Sequence, residues 1–139
     1  MNRGFSLLEL MITTAMVSAL TAVAVPSICA WRERHVVVHE TKRLQRALER
    51  AYTIALLREN TVVVALAQDS ITAKTKDNLP LFSFSPHRGI TIQLKSKEQQ
   101  NLLFYPSHTT TPATVLIAGP RFSCSVVISL RGRTRRECA

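Results

Sequence analysis

The sequence predicts an α+β protein: a long N-terminal helix followed by one or more antiparallel β-sheets that finish in a C-terminal β-hairpin. Three observations carry this. Residues 5–30 hold a single charge, Glu9, in a run of apolar and small residues, and about 20 such residues suffice to cross a bilayer. Residues 36–57 then repeat apolar side chains at helical spacing. From residue 61 onward the pattern changes to short β-rich runs separated by turn residues.

The apolar run follows a short basic leader, Met1-Asn2-Arg3-Gly4, and begins at Phe5. Glu9 stands five residues after Gly4. A carboxylate within a membrane span costs about 2.5–3.5 kcal/mol on insertion scales, so it points to a function and to a partner. An ordinary secretory signal, cleaved after Ala22-Val23-Ala24, would not carry an acid in its apolar region. A plain membrane anchor leaves the Gly4-Phe5 junction and its nearby carboxylate without a purpose.

Pro26 removes one helix donor and is expected to kink or locally melt the helix. Cys29 ends the apolar run as a packed or lipid-facing thiol. Trp31-Arg32-Glu33-Arg34 marks the membrane interface, where Trp and Arg favour the headgroup region. Beyond it, Val37, Leu44, Leu48, Ala51, Tyr52, Ala55 and Leu56 form one apolar stripe, with Lys42, Arg43, Arg46, Glu49 and Arg50 largely off it. Asn60 is the expected stop. Strands are expected at 61–67, 81–84, 90–94, 102–105, 114–118, 122–130 and 133–138. Turn chemistry lies at Gln68-Asp69-Ser70, Asp77-Asn78, Pro86-His87-Arg88-Gly89, Pro106-Ser107, Pro112 and Gly119-Pro120, and 95–101 reads as an exposed loop.

These segments divide the chain into 1–4, 5–30 and 31–139, the last including an amphipathic continuation of the helix over about 31–59. The chain of 139 residues has room for one small domain beside the span. Lys and Arg number 18 against 9 Asp and Glu. That balance suits an acidic partner such as nucleic acid or anionic lipid, and equally plain solubility. The cluster Arg32, Arg34, Lys42, Arg43 and Arg46 is placed to meet anionic inner-membrane lipid.

The C-terminal hairpin concentrates the rest of the charge. Arg121, Arg131, Arg133, Arg135 and Arg136 oppose only Glu137 in the final segment. Gly132 can take the positive φ of a tight turn. With the turn centred near Arg131, Cys124 and Cys138 are about equidistant from it and could meet across the strands, whereas a bulge would spoil that geometry. Alternation puts Arg133 and Arg135 on one face, with Thr134 and Arg136 on the other. Two guanidinium groups two residues apart on a strand stand about 6.5–7 Å apart, comparable to successive phosphates of a nucleic-acid strand. Such a pair is suited to gripping the phosphate backbone without reading sequence. It would equally serve as the charged, aggregation-resistant edge of a sheet.

Other constellations carry less. His35 and His39 lie four apart but lack further ligands, and no metal or cofactor is expected. Glu40 beside them reads as a solvated charge or an i,i+4 partner. No catalytic order of Ser, His and Asp and no Gly-rich phosphate loop occurs, so the chain does not read as an enzyme.

Gly4-Phe5 with Glu9 resembles the class III signal of type IV pilins and pseudopilins. The resemblance implies that a prepilin peptidase cuts after Gly4 and methylates the new N-terminus at Phe5. It also implies that Glu9 pairs with a neighbouring subunit's N-terminus in a filament. Leu102-Leu103-Phe104-Tyr105-Pro106, Thr111-Pro112-Ala113-Thr114-Val115 and Val127-Ile128-Ser129 with Gly132-Arg133 resemble the GspH/FimT family of minor pilins. The match is loose over 68–100. In the FimT branch a Gly-Arg-x-Arg hairpin binds DNA in natural transformation, which here falls on Gly132, Arg133 and Arg135. The GspH branch implies the alternative, a structural minor pseudopilin of type II secretion. Either implies a pilin-like fold, a single inner-membrane span, a periplasmic globular domain and other pilin or pseudopilin subunits as partners. Where the family often has a glycine after Phe-x-Pro, this chain has Ser107-His108-Thr109-Thr110.

Overall fold

The computed structural model describes residues 6–67, 70–95 and 101–138, and the chain divides into two units after Arg32. Gly4 and Phe5 lie outside the described residues, as do Gln68, Asp69 and 96–100 of the expected loop. The elements are α1 (Leu7–Leu57), β1 (Val62–Ala67), β2 (Ser70–Thr75), β3 (Pro80–Phe84), β4 (Thr91–Leu94), β5 (Asn101–Phe104), β6 (Ala113–Ala118), β7 (Ser123–Ile128) and β8 (Thr134–Cys138).

In the first unit α1 starts on the Ser6 carbonyl, which accepts from the amides of Glu9 (3.0 Å) and Leu10 (3.2 Å). Glu9 thus sits in the first turn, where a negative charge favours the helix dipole. The apolar stretch is long enough to cross a membrane, and none of its residues is buried. Its hydroxyls turn back onto the helix: Thr13 Oγ1 donates to the Leu10 carbonyl at 2.9 Å and Thr21 Oγ1 to that of Val17 at 2.9 Å. A polar group closed on its own backbone needs no water, which suits a lipid setting. Pro26 does not melt the helix, which runs unbroken through it, because one missing donor leaves the neighbouring turns bonded.

In the second unit the helix buries Val37, Glu40, Thr41, Leu44, Leu48, Ala51 and Ala55. Spacings of three and four keep these on one face. Small Ala51 and Ala55 add little bulk to the buried face. Asn60 is not the stop: Glu59 takes the left-handed conformation (φ 49°) just past Leu57, and Asn60 Nδ2 donates to Asp77 Oδ2 at 2.8 Å.

The strands form two four-stranded antiparallel sheets among the described residues, in the orders β3-β2-β1-β5 and β4-β6-β7-β8. Val62, Val64, Ile71, Leu102 and Phe104 from the first and Ile92, Val115, Ile117, Val126 and Ile128 from the second join the α1 stripe in one core. Strand β2 is absent from the sequence expectation. It pairs with β1 from Ala67↔Ser70 to Val62↔Thr75 and buries Ile71, Ala73 and Thr75 in strict alternation. Alanine and threonine at two of those positions give too little hydrophobic contrast to mark a strand.

Candidate functional site

The C-terminal hairpin closes on a three-residue loop, Leu130-Arg131-Gly132. The Gly132 amide donates to the Ser129 carbonyl and the Ser129 amide to the Arg133 carbonyl, each at 2.9 Å. Gly132 has φ +77°, the left-handed residue that such a loop requires after its tight turn. Counting outward from it, Ile128 faces Thr134, Val127 faces Arg135, Val126 faces Arg136 and Cys124 faces Cys138. Cys124 and Cys138 are joined by a disulfide, the buried one of the pair being Cys124.

Helix α1 braces this hairpin in two places. A Cβ at residue 132 would stand 2.6 Å from Tyr52 Cε2, so the bare backbone of Gly132 lies against the Tyr52 ring. That ring is stacked at a tilt on Phe104, centroids 6.5 Å apart. One turn earlier, Glu49 Oε1 accepts from Thr134 Oγ1 at 2.6 Å and from Gln45 Nε2 at 2.9 Å. Gln45 also donates to Thr134 Oγ1 at 3.1 Å. Thr134 therefore points at the helix, and its neighbours along β8 are left to solvent.

Arg131, Arg133, Arg135 and Arg136 are all exposed. Arg135 has Glu137 as a solvent-exposed partner at 3.5 Å, and the other three have no acidic partner among the described residues. An exposed pair of this kind contributes little, so the guanidinium groups are available to an external anion. Arg121 lies at the opposite end of β7 from the hairpin loop, preceding Ser123 where Arg131 follows Ile128. Its backbone amide donates to Glu33 Oε1 at 2.5 Å, tying the turn before β7 to α1.

The loop without the family's glycine is closed by other means. His108 takes φ 58°, and its Nδ1 lies 3.4 Å from the Tyr52 hydroxyl. The Tyr105 amide donates to the Thr109 carbonyl, and buried Thr110 bonds the hairpin through the Ser129 and Leu130 carbonyls at 2.7 and 2.8 Å. Tyr52, Glu49, Gln45 and Thr110 were not legible as a brace. Tyr52 carried a signal only as a member of the apolar stripe.

One other reading changes. Glu40 is not solvated: its side chain is 5% exposed and accepts from Arg43 at 2.9 and 3.1 Å, an i,i+3 rather than i,i+4 pair. His35 and His39 are exposed, and among the described residues no group of three metal-binding side chains forms.

No family model matches the chain, and no curated protein matches it closely by sequence. Solved structures do match by fold. The type IV minor pilin FimU of Pseudomonas aeruginosa superposes with a TM-score of 0.64 at 18% identity, over 77% of this chain and 92% of that one. The minor pseudopilin EpsH from the type 2 secretion system of Vibrio cholerae gives 0.62 at 14% identity, over 73% and 96%. The chain thus has the pilin fold: a long N-terminal helix packed on two antiparallel sheets. Within that fold its neighbours are a minor pilin and a minor pseudopilin, which supports the likeness to the GspH/FimT type drawn from the motifs.

Proposed function

We propose that this chain is a minor pilin of a type IV filament that binds DNA without sequence preference through Arg131, Arg133, Arg135 and Arg136, in the setting of natural transformation. The observation that carries the proposal is the braced hairpin. Gly132 is seated under Tyr52 and Thr134 is tied to Glu49, while the arginines beside them are exposed and largely without acidic partners. Rigid presentation lowers the ordering cost of each phosphate contact. Arginine suits phosphate through its paired donors. The role is one of binding and assembly rather than catalysis.

In this reading prepilin peptidase cleaves after Gly4 and methylates Phe5, residues 5–30 hold the chain in the inner membrane, and residues 31–139 face the periplasm. Glu9 pairs with the N-terminus of an adjacent subunit, and Arg32, Arg34 and Lys42 rest on anionic lipid. Other pilin subunits are the filament partners. Titrating duplex DNA into the full chain in non-ionic detergent tests the central point. Binding should be lost in an Arg133→Ala/Arg135→Ala variant of unchanged thermal stability, and equal binding by both proteins would remove the hairpin from the proposal.

The fold likeness to EpsH favours a second reading, a structural minor pseudopilin of a type II secretion system. It requires no DNA binding at any salt concentration.

A further inference from the structure

We infer that the groove between α1 and the outer edge of β3 receives an acidic, extended segment of a partner protein, added to the first sheet as a further strand. Among the described residues strand β3 pairs with β2 alone, which leaves its other side as a sheet edge with backbone groups to offer. Two other edges are guarded. Beside β5, the Thr111 amide donates to the Leu103 carbonyl at 2.9 Å and Thr110 bridges Phe104. Strand β8 carries Arg135, Arg136 and Glu137 along its edge. Strand β3 reads Pro80-Leu81-Phe82-Ser83-Phe84 and carries no charge of its own.

Against this edge lies a groove of about 290 Å³ lined by Arg43, Arg46 and Arg50 from α1, with Ala47 between them, and by Phe82 and Phe84 from β3. The three arginines share a helix face because they are three and four residues apart. Arg43 is already engaged, bonded to Glu40 and lying 5.2 Å over the Phe84 ring. Arg46 and Arg50 are exposed and have no acidic partner among the described residues. They stand about 6 Å apart along the helix axis. Alternate side chains of a strand are spaced by about 6.7 Å, so acidic residues at every second position can offer each arginine a carboxylate.

The occupant follows from this combination. With 18 basic against 9 acidic side chains, a second copy of the chain is repelled. A nucleic-acid strand could meet the arginines but has no amide backbone to satisfy the edge of β3. A peptide strand does both: its main chain supplies the hydrogen bonds and its side chains the selectivity. The site lies on a different flank of α1 from Gln45 and Glu49, and it does not depend on the DNA-binding proposal.

The test uses the full chain in non-ionic detergent micelles and a fluorescein-labelled Glu-Val-Glu-Val-Glu-Val peptide, read by anisotropy and by hydrogen exchange of the 81–84 amides. The peptide should bind and slow exchange within 81–84. Arg46→Gln/Arg50→Gln should weaken it by about tenfold or more, since two charge-assisted contacts are lost. Arg133→Ala/Arg135→Ala should leave its affinity unchanged, which separates this site from the hairpin. Both substitutions in the groove are at exposed positions, and retained thermal stability confirms that the variant is folded. Failure to bind overturns the inference, as does equal binding of a Lys-Val-Lys-Val-Lys-Val peptide or binding without protection within 81–84. Competition by a short oligothymidylate that requires Arg46 and Arg50 would reassign the groove to nucleic acid.

Discussion

Gly132 meets two independent constraints. Its φ of +77° costs an L-residue about 1–2 kcal/mol, and the Tyr52 ring occupies the place of a side chain. Gly132→Ala should therefore destabilise the fold by about 2–4 kcal/mol, the backbone cost adding to overpacking. The measurement is a denaturant titration with Tyr52→Val as the second arm of a cycle. The double variant should lose less than the sum of the two, because the contact removed by one is the clash introduced by the other. At Arg43, substitution by Ala strands the Glu40 carboxylate, which is 5% exposed. Arg43 itself is half in solvent, so the expected loss is only about 1–2 kcal/mol. Glu40 also shows why its environment could not be read from sequence. Arg43 is its neighbour on the helix, but the Phe84 ring beneath Arg43 comes from β3.

At the scale of the element, the hairpin was legible because its register depends on counting. A glycine at the turn and residues equidistant from Arg131 place Cys124 opposite Cys138 whatever the rest of the chain does. The bond closes a loop of sequence separation 14, so Cys124→Ala/Cys138→Ala should lower stability by about 3 kcal/mol in the chain-entropy view. Chemical denaturation under oxidising and reducing conditions should show the same difference in the parent and none in the variant. Strand β2 was illegible for the opposite reason. Its buried Ala73 and Thr75 acquire their meaning from β1 and β3 on either side, and Lys74 beside them reads as loop. The brace from Tyr52 and Glu49 was likewise hidden, since it joins residues eighty or more positions apart in the chain.

For the whole molecule, the change from an unbroken apolar run to a helical stripe to short alternating strands was enough to state the α+β class, and the pilin-like architecture was implied by the resemblance of the Gly4-Phe5, Glu9 and hairpin motifs to known pilins. Those periodicities reflect which faces meet lipid, core and water. If Glu9 pairs with a neighbouring N-terminus, Glu9→Ala should leave membrane insertion intact while strongly reducing recovery of the chain in sheared filaments. Normal recovery would remove the pairing. The central claim is that the braced arginines grip phosphate, and the most direct measurement is the salt dependence of duplex DNA binding by the full chain. Each lost phosphate contact reduces the slope of log K against log salt by about 0.9. The Arg133→Ala/Arg135→Ala variant should thus bind more weakly, with a slope shallower by about 2. An unchanged slope and affinity in the variant, or a parent chain that does not bind even at low salt, would contradict the account and favour the purely structural pseudopilin.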